Sequence, residues 1–320
     1  MSFIDQIYKT IGENDCNQDV SDWLSTGYLP LNQSLSGSYS GGFPVGRLTE
    51  IYGSESSGKT LLATMALIET QKKNGLAIFL DYEHAFSLKR AKTLGLSDDK
   101  KKFIYKQPDS AEEGFSMLDK IVKIVRKDQP DKFVTVIVDS VASMITMEEL
   151  AASYENGNMK TRLSLAAVMS SSLKQLSKMV SKSNITLIFL NQTRSNPGVI
   201  YGEKEKTSGG NALKFFASVR VKLTKKQKIK SGDTIIGENV EATVVKNKVY
   251  IPYEKATYIS SFKVGIDLVA SHVDALHEKK MLGSAAGWME FEGKKYRRAQ
   301  LIEKFNKDSE LYKKALIMFK

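Results

Sequence analysis

Eight residues, Gly53-Ser54-Glu55-Ser56-Ser57-Gly58-Lys59-Thr60, constrain this chain more than any other stretch. They fit G-x-x-x-x-G-K-[ST], a loop whose backbone N–H groups close on phosphate oxygens. The flanks supply the context that the pattern needs. Arg47 to Tyr52 alternates as a short strand, and Leu61, Leu62, Met65 and Ile68 recur at helical spacing until Lys72-Lys73-Asn74-Gly75 ends the run. Glycine allows the backbone to approach the phosphates, and the helix N-terminus favours an anion. In that arrangement Lys59 neutralises the β- and γ-phosphates and the Thr60 hydroxyl ligates Mg²⁺. All eight residues are therefore candidates for holding a nucleoside triphosphate. A glycine turn that happens to precede Lys-Thr is the bland alternative, and the strand–loop–helix setting argues against it.

Strand-like and helix-like runs alternate after the loop. Ala77 to Asp81, Val134 to Val138 and Ile185 to Leu190 are short apolar runs, while Glu112 to Arg126 and Leu163 to Val180 carry helical periodicity. Ala217 to Leu223 and Ala242 to Val249 continue the strand series. Near-continuous apolar strands separated by helices predict an α/β fold with a largely parallel sheet covered on both faces. In such sheets ligands bind beyond the carboxyl ends of the strands. Three runs end there in polar residues: Asp81-Tyr82-Glu83, Asp139-Ser140 and Asn191-Gln192. Asp139 fits the carboxylate that holds Mg²⁺ in this NTPase class. Glu83 is a candidate to position or deprotonate an attacking water. Gln192 is a candidate γ-phosphate sensor. An ordinary helix cap is the alternative for any one acidic residue at a strand end.

The chain has 320 residues, a net charge of +11 and one cysteine, Cys16. Disulfides within the chain are thereby excluded, and a cysteine metal cluster is not expected. The longest apolar runs are too short to span a bilayer, and the N-terminus has no basic-then-apolar leader, so a cytoplasmic protein with no membrane partner is expected. Residues 222–320 carry 20 Lys/Arg against 12 Asp/Glu. That excess suits a polyanion, and equally a well-solvated Lys-rich surface.

Two irregular segments follow from the strand ends. Residues 193–209 show no periodicity and combine Arg194, Lys204 and Lys206 with Pro197, Val199, Ile200 and Tyr201. Cations beside apolar wedges are a workable recipe for single-stranded nucleic acid. Ser153 to Arg162 is a second such segment, with Lys160 and Arg162. On the N-terminal side, Phe3, Ile4, Ile7, Tyr8 and Ile11 share one face of a helix too short to be stable alone. Periodicity does not decide between the chain's own core and a neighbouring subunit as its cover.

Taken together, Gly53 to Thr60, Asp81-Tyr-Glu-His84, Val138-Asp-Ser140, Asn191-Gln192, Gly209-Gly-Asn-Ala-Leu-Lys-Phe-Phe-Ala-Ser-Val-Arg220 and Val245-Lys-Asn-Lys248 resemble the bacterial RecA recombinases in order and spacing. The resemblance runs from about Ser25 to near the C-terminus, and fits a bacterial or a phage-encoded member alike. It implies a RecA-like P-loop core (25–257) with a short N-terminal oligomerisation arm (1–24) and a small α+β C-terminal domain (258–320). It also implies a helical filament on single-stranded DNA, homologous pairing with duplex DNA, strand exchange and DNA-stimulated hydrolysis of ATP with Mg²⁺. Loader and single-strand-binding proteins are the accessory partners it implies.

Carried over by position, Glu83 is the catalytic carboxylate and Gln192 the γ-phosphate sensor. Lys246 and Lys248 reach the ATP of the adjacent protomer, and Phe215 sits at the subunit interface. The two irregular segments are the DNA-binding loops, with Gly209, Gly210 and Asn211 closing the second, and Ile4 and Ile7 belong to the arm that packs on a neighbour. Arg90 stands where the family commonly stacks a tyrosine on adenine, and Ser87 replaces a nearby aspartate. An arginine can also stack on a base. Arg194-Ser-Asn-Pro-Gly198 replaces the usual Met-Lys-Ile-Gly run. In the C-terminal region, Leu268 to Leu276 reads as a helix and Trp288 to Tyr296 as a hairpin rich in Lys and Arg, suited to duplex capture or to solvation alone. The last residues carry none of the acidic tail common in the family, so weaker self-inhibition is expected. A ring-forming helicase or a non-catalytic DNA-binding mediator are the competing readings; a small-molecule kinase leaves 193–209 without a purpose.

Overall fold

The strand Leu48–Gly53 is buried at every position and stands inside a sheet whose neighbouring strands come from distant parts of the chain. The computed structural model describes residues 2–11, 19–152, 164–195, 205–285 and 287–319. Across the sheet the order is Phe103–Lys106, Leu76–Asp81, Val134–Asp139, Ile185–Ser195, Leu48–Gly53, Val219–Ser231, Thr234–Asn247, Lys255–Ser261 and Gly265–Ile266. Strands from Phe103–Lys106 through Val219–Ser231 run parallel to one another. Beyond them the sheet turns antiparallel. Val219–Ser231 and Thr234–Asn247 form a long hairpin, closed by a two-residue turn with Gly232 at φ +59°.

Alternation along the central strands sorts their side chains onto two faces. Phe79, Ile137, Ile188 and Leu190 pack with Leu62 and Leu67 of the helix Lys59–Lys72. Ile78, Leu80, Val136, Val138, Leu187 and Phe189 pack on the other face. There they meet Phe115, Leu118 and Val122 of Ala111–Asp128, and Met169 and Leu173 of Ser164–Val180. Each fully buried side chain of this size stabilises the fold by about 1.5–3 kcal/mol. The helix Ala111–Asp128 starts where the Ser110 hydroxyl accepts the Glu113 N–H at 3.2 Å; acidic residues occupy its first turn and basic residues its last.

The expected elements are present; one strand is longer, and one strand and two helices are added. The run at 185–190 continues as strand to Ser195, and Glu205–Thr207 pairs back onto it through Thr193↔Thr207, Arg194↔Lys206 and Ser195↔Glu205. Both ends of the stretch read as irregular are thus a β-ribbon, because backbone pairing needs no apolar alternation. The C-terminal region holds the helix Leu268–Glu278 and the hairpin Trp288–Phe291 with Lys294–Tyr296. It adds helices Arg298–Lys307 and Ser309–Ile317, which the sequence reading left out. These elements share a separate apolar cluster around Val273, Leu276, Leu301, Phe305 and Phe319.

The N-terminal helix Phe3–Ile11 leaves Phe3, Ile4, Ile7 and Tyr8 exposed, Phe3 by 76%. Its apolar face joins none of the core clusters formed by the described residues. Among the described residues no helix is long and apolar enough to cross a membrane.

Candidate functional site

The parallel register aligns the carboxyl ends of four strands at one edge: Gly53 pairs with Gln192, and Asp81 with Asp139. The phosphate loop emerges at that edge. Gly53 leaves no room for a side chain, since a Cβ there would lie 2.4 Å from the Leu223 carbonyl oxygen. Gly58 adopts φ +89°, a left-handed conformation that glycine takes without strain, and starts the helix Lys59–Lys72. Ser54, Glu55 and Ser56 are exposed; Ser57 is buried, and its hydroxyl has no hydrogen-bond partner among the described residues.

Lys59 is buried to 7% exposure and donates to the carbonyls of Gly53 (3.3 Å) and Ser54 (2.8 Å), so its ammonium lies over the loop. Burial lowers its pKa, and the carboxylates of Asp139 and Glu83 act against that shift. Thr60 donates its hydroxyl to Asp139 Oδ2 at 2.7 Å. Burial pushes the Asp139 carboxyl up to about 7, the Thr60 hydrogen bond pulls it down, and nearby Glu83 and Asp81 raise it further. A hydroxyl and a carboxylate in contact beside a helix N-terminus fit Mg²⁺, which binds through one or two protein oxygens and completes its shell with water and phosphate.

Glu83 stands at the centre of the same edge. Its Oε1 accepts from the Ser140 hydroxyl at 2.5 Å and from the Gln192 side-chain amide at 2.8 Å. Asp81 shapes the turn that presents it, accepting from the N–H groups of Glu83 (3.0 Å) and Phe86 (3.1 Å) and from the Tyr105 hydroxyl (2.8 Å). Strand ends at 81, 139 and 192 therefore converge as the sequence reading expects, with Asp81 serving the backbone.

Beneath this edge lies a buried polar network that the sequence reading missed. Glu50 is fully buried and accepts from Arg220 Nε at 2.5 Å and from Asn191 Nδ2 at 3.0 Å. Asn191 also donates to the Ser208 carbonyl at 3.0 Å and accepts the Gln192 N–H at 2.9 Å. The Arg220 guanidinium lies 4.6 Å from the centre of the Tyr52 ring. A visible signal existed: Glu50, the one charge in Leu48–Gly53, and Arg220, between Val219 and Val221, are tolerated at buried positions only if paired. Through Asn191 this network fixes both the strand carrying Gln192 and the return of the segment behind it.

That return leads to Gly209 and Gly210, at φ +80° and +73°, and Asn211, which precedes the helix Ala212–Phe216. A Cβ at Gly209 would press on Val141 at 2.7 Å, so this turn packs directly against the residues following Asp139 and Ser140. Arg194 is exposed on the ribbon. Lys160, Arg162, Pro197, Val199 and Ile200 lie outside the described residues.

Lys246, Lys248 and Phe215 are placed at the other end of the sheet. Ala242 pairs with Leu223, which pairs with Gly53, while Lys246 pairs with Arg220. Three residues of strand, from Arg220 to Leu223, separate the level of Lys246 from that of the phosphate loop, roughly 10 Å. Lys246 points away from that loop and donates to the carbonyls of Lys214 (2.5 Å) and Phe215 (3.0 Å). Burial lowers its pKa to about 8, with Lys248 and Arg220 adding to the shift. Phe215 is 71% exposed. Arg90 sits on the short helix Leu88–Thr93, capped by Ser87, and donates to the Phe262 carbonyl at 3.0 Å.

A family model described as the RecA N-terminal domain matches residues 3–267. The chain is 37% identical over 272 residues to "Protein RecA" of Desulforapulum autotrophicum, covering 85% of this chain and 74% of that one. It is 37% identical over 285 residues to "Protein RecA" of Mycoplasma mycoides subsp. mycoides, with 89% and 78% covered. Against "Protein RecA" of Chloroherpeton thalassium the identity is 38% over 272 residues, with 85% and 72% covered.

Proposed function

The chain belongs to the RecA family, and from that premise we propose how its two sheet ends cooperate. As a family member it is an ATP-dependent DNA recombinase that carries out homologous pairing and strand exchange, and a DNA-dependent ATPase. The family acts as filaments on DNA. In our reading, residues 53–60 cradle the triphosphate of ATP, with Lys59 moving from the loop carbonyls onto the phosphates. Thr60 and Asp139 would hold Mg²⁺, which would supply neutralisation of the phosphate charge.

Glu83 orients a water for in-line attack and takes its proton, while Ser140 and Gln192 fix the carboxylate. The observation that carries this reading is the 2.8 Å hydrogen bond from Gln192 to Glu83. Gln192 lies on the strand that continues directly into the ribbon at 193–195 and 205–207. Its amide can contact either Glu83 or a γ-phosphate, so nucleotide state alters the base of the segment proposed to bind DNA. That segment comprises Arg194, Pro197, Val199, Ile200 and the turn Gly209-Gly210-Asn211, with Lys160 and Arg162 contributing from the other loop. Arg90 is proposed to lie against the adenine base.

Lys246 and Lys248 lie too far down the sheet to serve their own chain's phosphates, and we assign them to the ATP of the next protomer, beside Phe215. Ile4 and Ile7, exposed on the N-terminal helix, are assigned to the same assembly. The three-part division at 1–24, 25–257 and 258–320 accompanies this assignment; within the last part, Tyr258 to Ile266 still belong to the main sheet and its core, and the elements from Leu268 onward gather around a second apolar cluster. Single-stranded and duplex DNA are its substrates, loader and single-strand-binding proteins its proposed helpers, and the cytoplasm its proposed compartment. Replacing Gln192 with Ala tests the coupling: ATP binding should persist while stimulation of hydrolysis by single-stranded DNA is lost. Full stimulation in Gln192→Ala would refute it.

A further inference from the structure

The short helix Leu88–Thr93 and the turn between Lys255–Ser261 and Gly265–Ile266 form a ledge beside the phosphate loop. Gly265 lets them close together: a Cβ there would lie 2.7 Å from Leu94 Cδ2 and 3.1 Å from Leu61 Cδ1. Leu61 directly follows Thr60, so the ledge packs on the first turn of the helix that the phosphate loop starts. Phe262 and Val264 on this turn are apolar and exposed. The Arg90 guanidinium is tethered beside them, donating to the Phe262 carbonyl at 3.0 Å, and its remaining N–H groups have no partner among the described residues. An apolar surface flanked by a planar cation is a seat for an aromatic heterocycle.

We propose that this ledge seats the base of the nucleotide without selecting adenine, so that GTP serves this chain as a substrate alongside ATP. The inference rests on the reading that Arg90 lies against the base. Two observations carry it. First, the polar groups of the ledge do not match adenine. Adenine presents an amino group at C6, a donor that needs an acceptor; guanine presents a carbonyl there beside the N7 acceptor. A guanidinium has donors only. The two oxygens that meet Arg90's donors are already engaged: Ser87 Oγ accepts the Arg90 backbone N–H at 3.2 Å as the helix cap, and the Phe262 carbonyl accepts the side chain. Edge-on, an arginine meets guanine O6 and N7 with two hydrogen bonds; face-on, it stacks on either purine. Neither pose rewards adenine alone. Second, the ledge is open to water. Rejecting a base by several orders of magnitude requires a buried polar group that the wrong base leaves unpaired. Ser87, Arg90 and Phe262 are all exposed, so solvent satisfies them with either base in place.

Two measurements on the full chain test it: DNA-stimulated hydrolysis of ATP and of GTP, and displacement of a fluorescent ATP analogue by GTP. GTP should come within about tenfold of ATP in kcat/KM and in displacement. A larger deficit in displacement overturns the inference. Ser87→Asp keeps a helix cap of equal quality and adds the acceptor that the ledge lacks, with thermal melting as the check on folding. It should move the preference toward ATP by about tenfold, through the two KM values and not through kcat. Ser87→Thr, which keeps the cap without adding a carboxylate, should retain the wild-type ratio. An unchanged ratio in folded Ser87→Asp also overturns the inference. Arg90→Ala separates it from the reading beneath it. If Arg90→Ala raises KM for ATP while wild type rejects GTP, the base placement stands and the tolerance alone falls. If Arg90→Ala binds both nucleotides as wild type does, the base lies elsewhere and both fall.

Discussion

The Gln192 side-chain amide and the Ser140 hydroxyl converge on the same oxygen of Glu83, at 2.8 and 2.5 Å. One donor belongs to the strand that becomes the ribbon, the other follows the residue that contacts Thr60. The carboxylate is thus held between the nucleotide side and the loop side of the sheet edge, and its orientation depends on both.

Substitution Glu83→Gln keeps the size and both contacts but removes the proposed base. Hydrolysis should fall by roughly 10²–10⁴-fold, while the affinity for ATP changes little. Steady-state phosphate release and equilibrium nucleotide binding measure the two quantities separately. Substantial residual hydrolysis would show that another group activates the water.

Glu50→Ala removes the counter-charge of buried Arg220, a guanidinium of 6% exposure, and one of the two acceptors of the Asn191 amide. Breaking one partner of a buried pair costs about 3–5 kcal/mol. Denaturant unfolding should register that loss, and a protein of wild-type stability would mean the network is replaceable. Because Asn191 also holds Ser208, any folded fraction should lose DNA-stimulated hydrolysis before basal hydrolysis.

Lys246, lowered to about 8 by burial and by Lys248 and Arg220, loses its charge as pH rises through that value. Between that value and the ordinary lysine range the unfolded chain binds more protons than the folded one, so this group makes stability rise with pH there. The trans contact with phosphate proposed for it weakens over the same window, so filament assembly should fall above pH 8 while the subunit is not destabilised by this group. Lys246→Arg keeps its charge throughout and should flatten that fall. An identical pH profile in Lys246→Arg would exclude Lys246 as the titrating group.

Phe215→Ala changes a side chain that is 71% exposed. Thermal melting of the isolated chain should shift little, within about 0.5 kcal/mol. Assembly with ATP analogue and single-stranded DNA should weaken markedly. Equal losses in stability and assembly would place Phe215 in the chain's own packing.

How much of this was legible beforehand follows from which interactions leave a local trace. The phosphate loop, the polar strand ends at 83, 139 and 192 and the alternation of strands and helices are written in short segments, and the structure brings them together through register. The ribbon at 193–195 and 205–207 left no trace, since backbone pairing between polar residues has no hydrophobic period. Glu50 and Arg220 were visible only as charges inside apolar runs, and pairing across 170 residues of chain is a tertiary fact. Placement of Lys246 and Lys248 at the far end of the sheet needed the antiparallel hairpin, whose direction no local pattern specifies.

The central claim is that the ATP site is completed by a second protomer, and complementation between two inactive proteins tests it most directly. Glu83→Gln lacks the carboxylate but keeps its lysines; Lys246→Ala/Lys248→Ala keeps the carboxylate and lacks the lysines. Mixed in equal amounts on single-stranded DNA, head-to-tail assembly places intact carboxylate against intact lysines at roughly a quarter of the contacts. DNA-stimulated ATPase should therefore reappear at about that fraction of wild type. Co-assembly of the two proteins with no recovered hydrolysis would contradict a site shared between subunits.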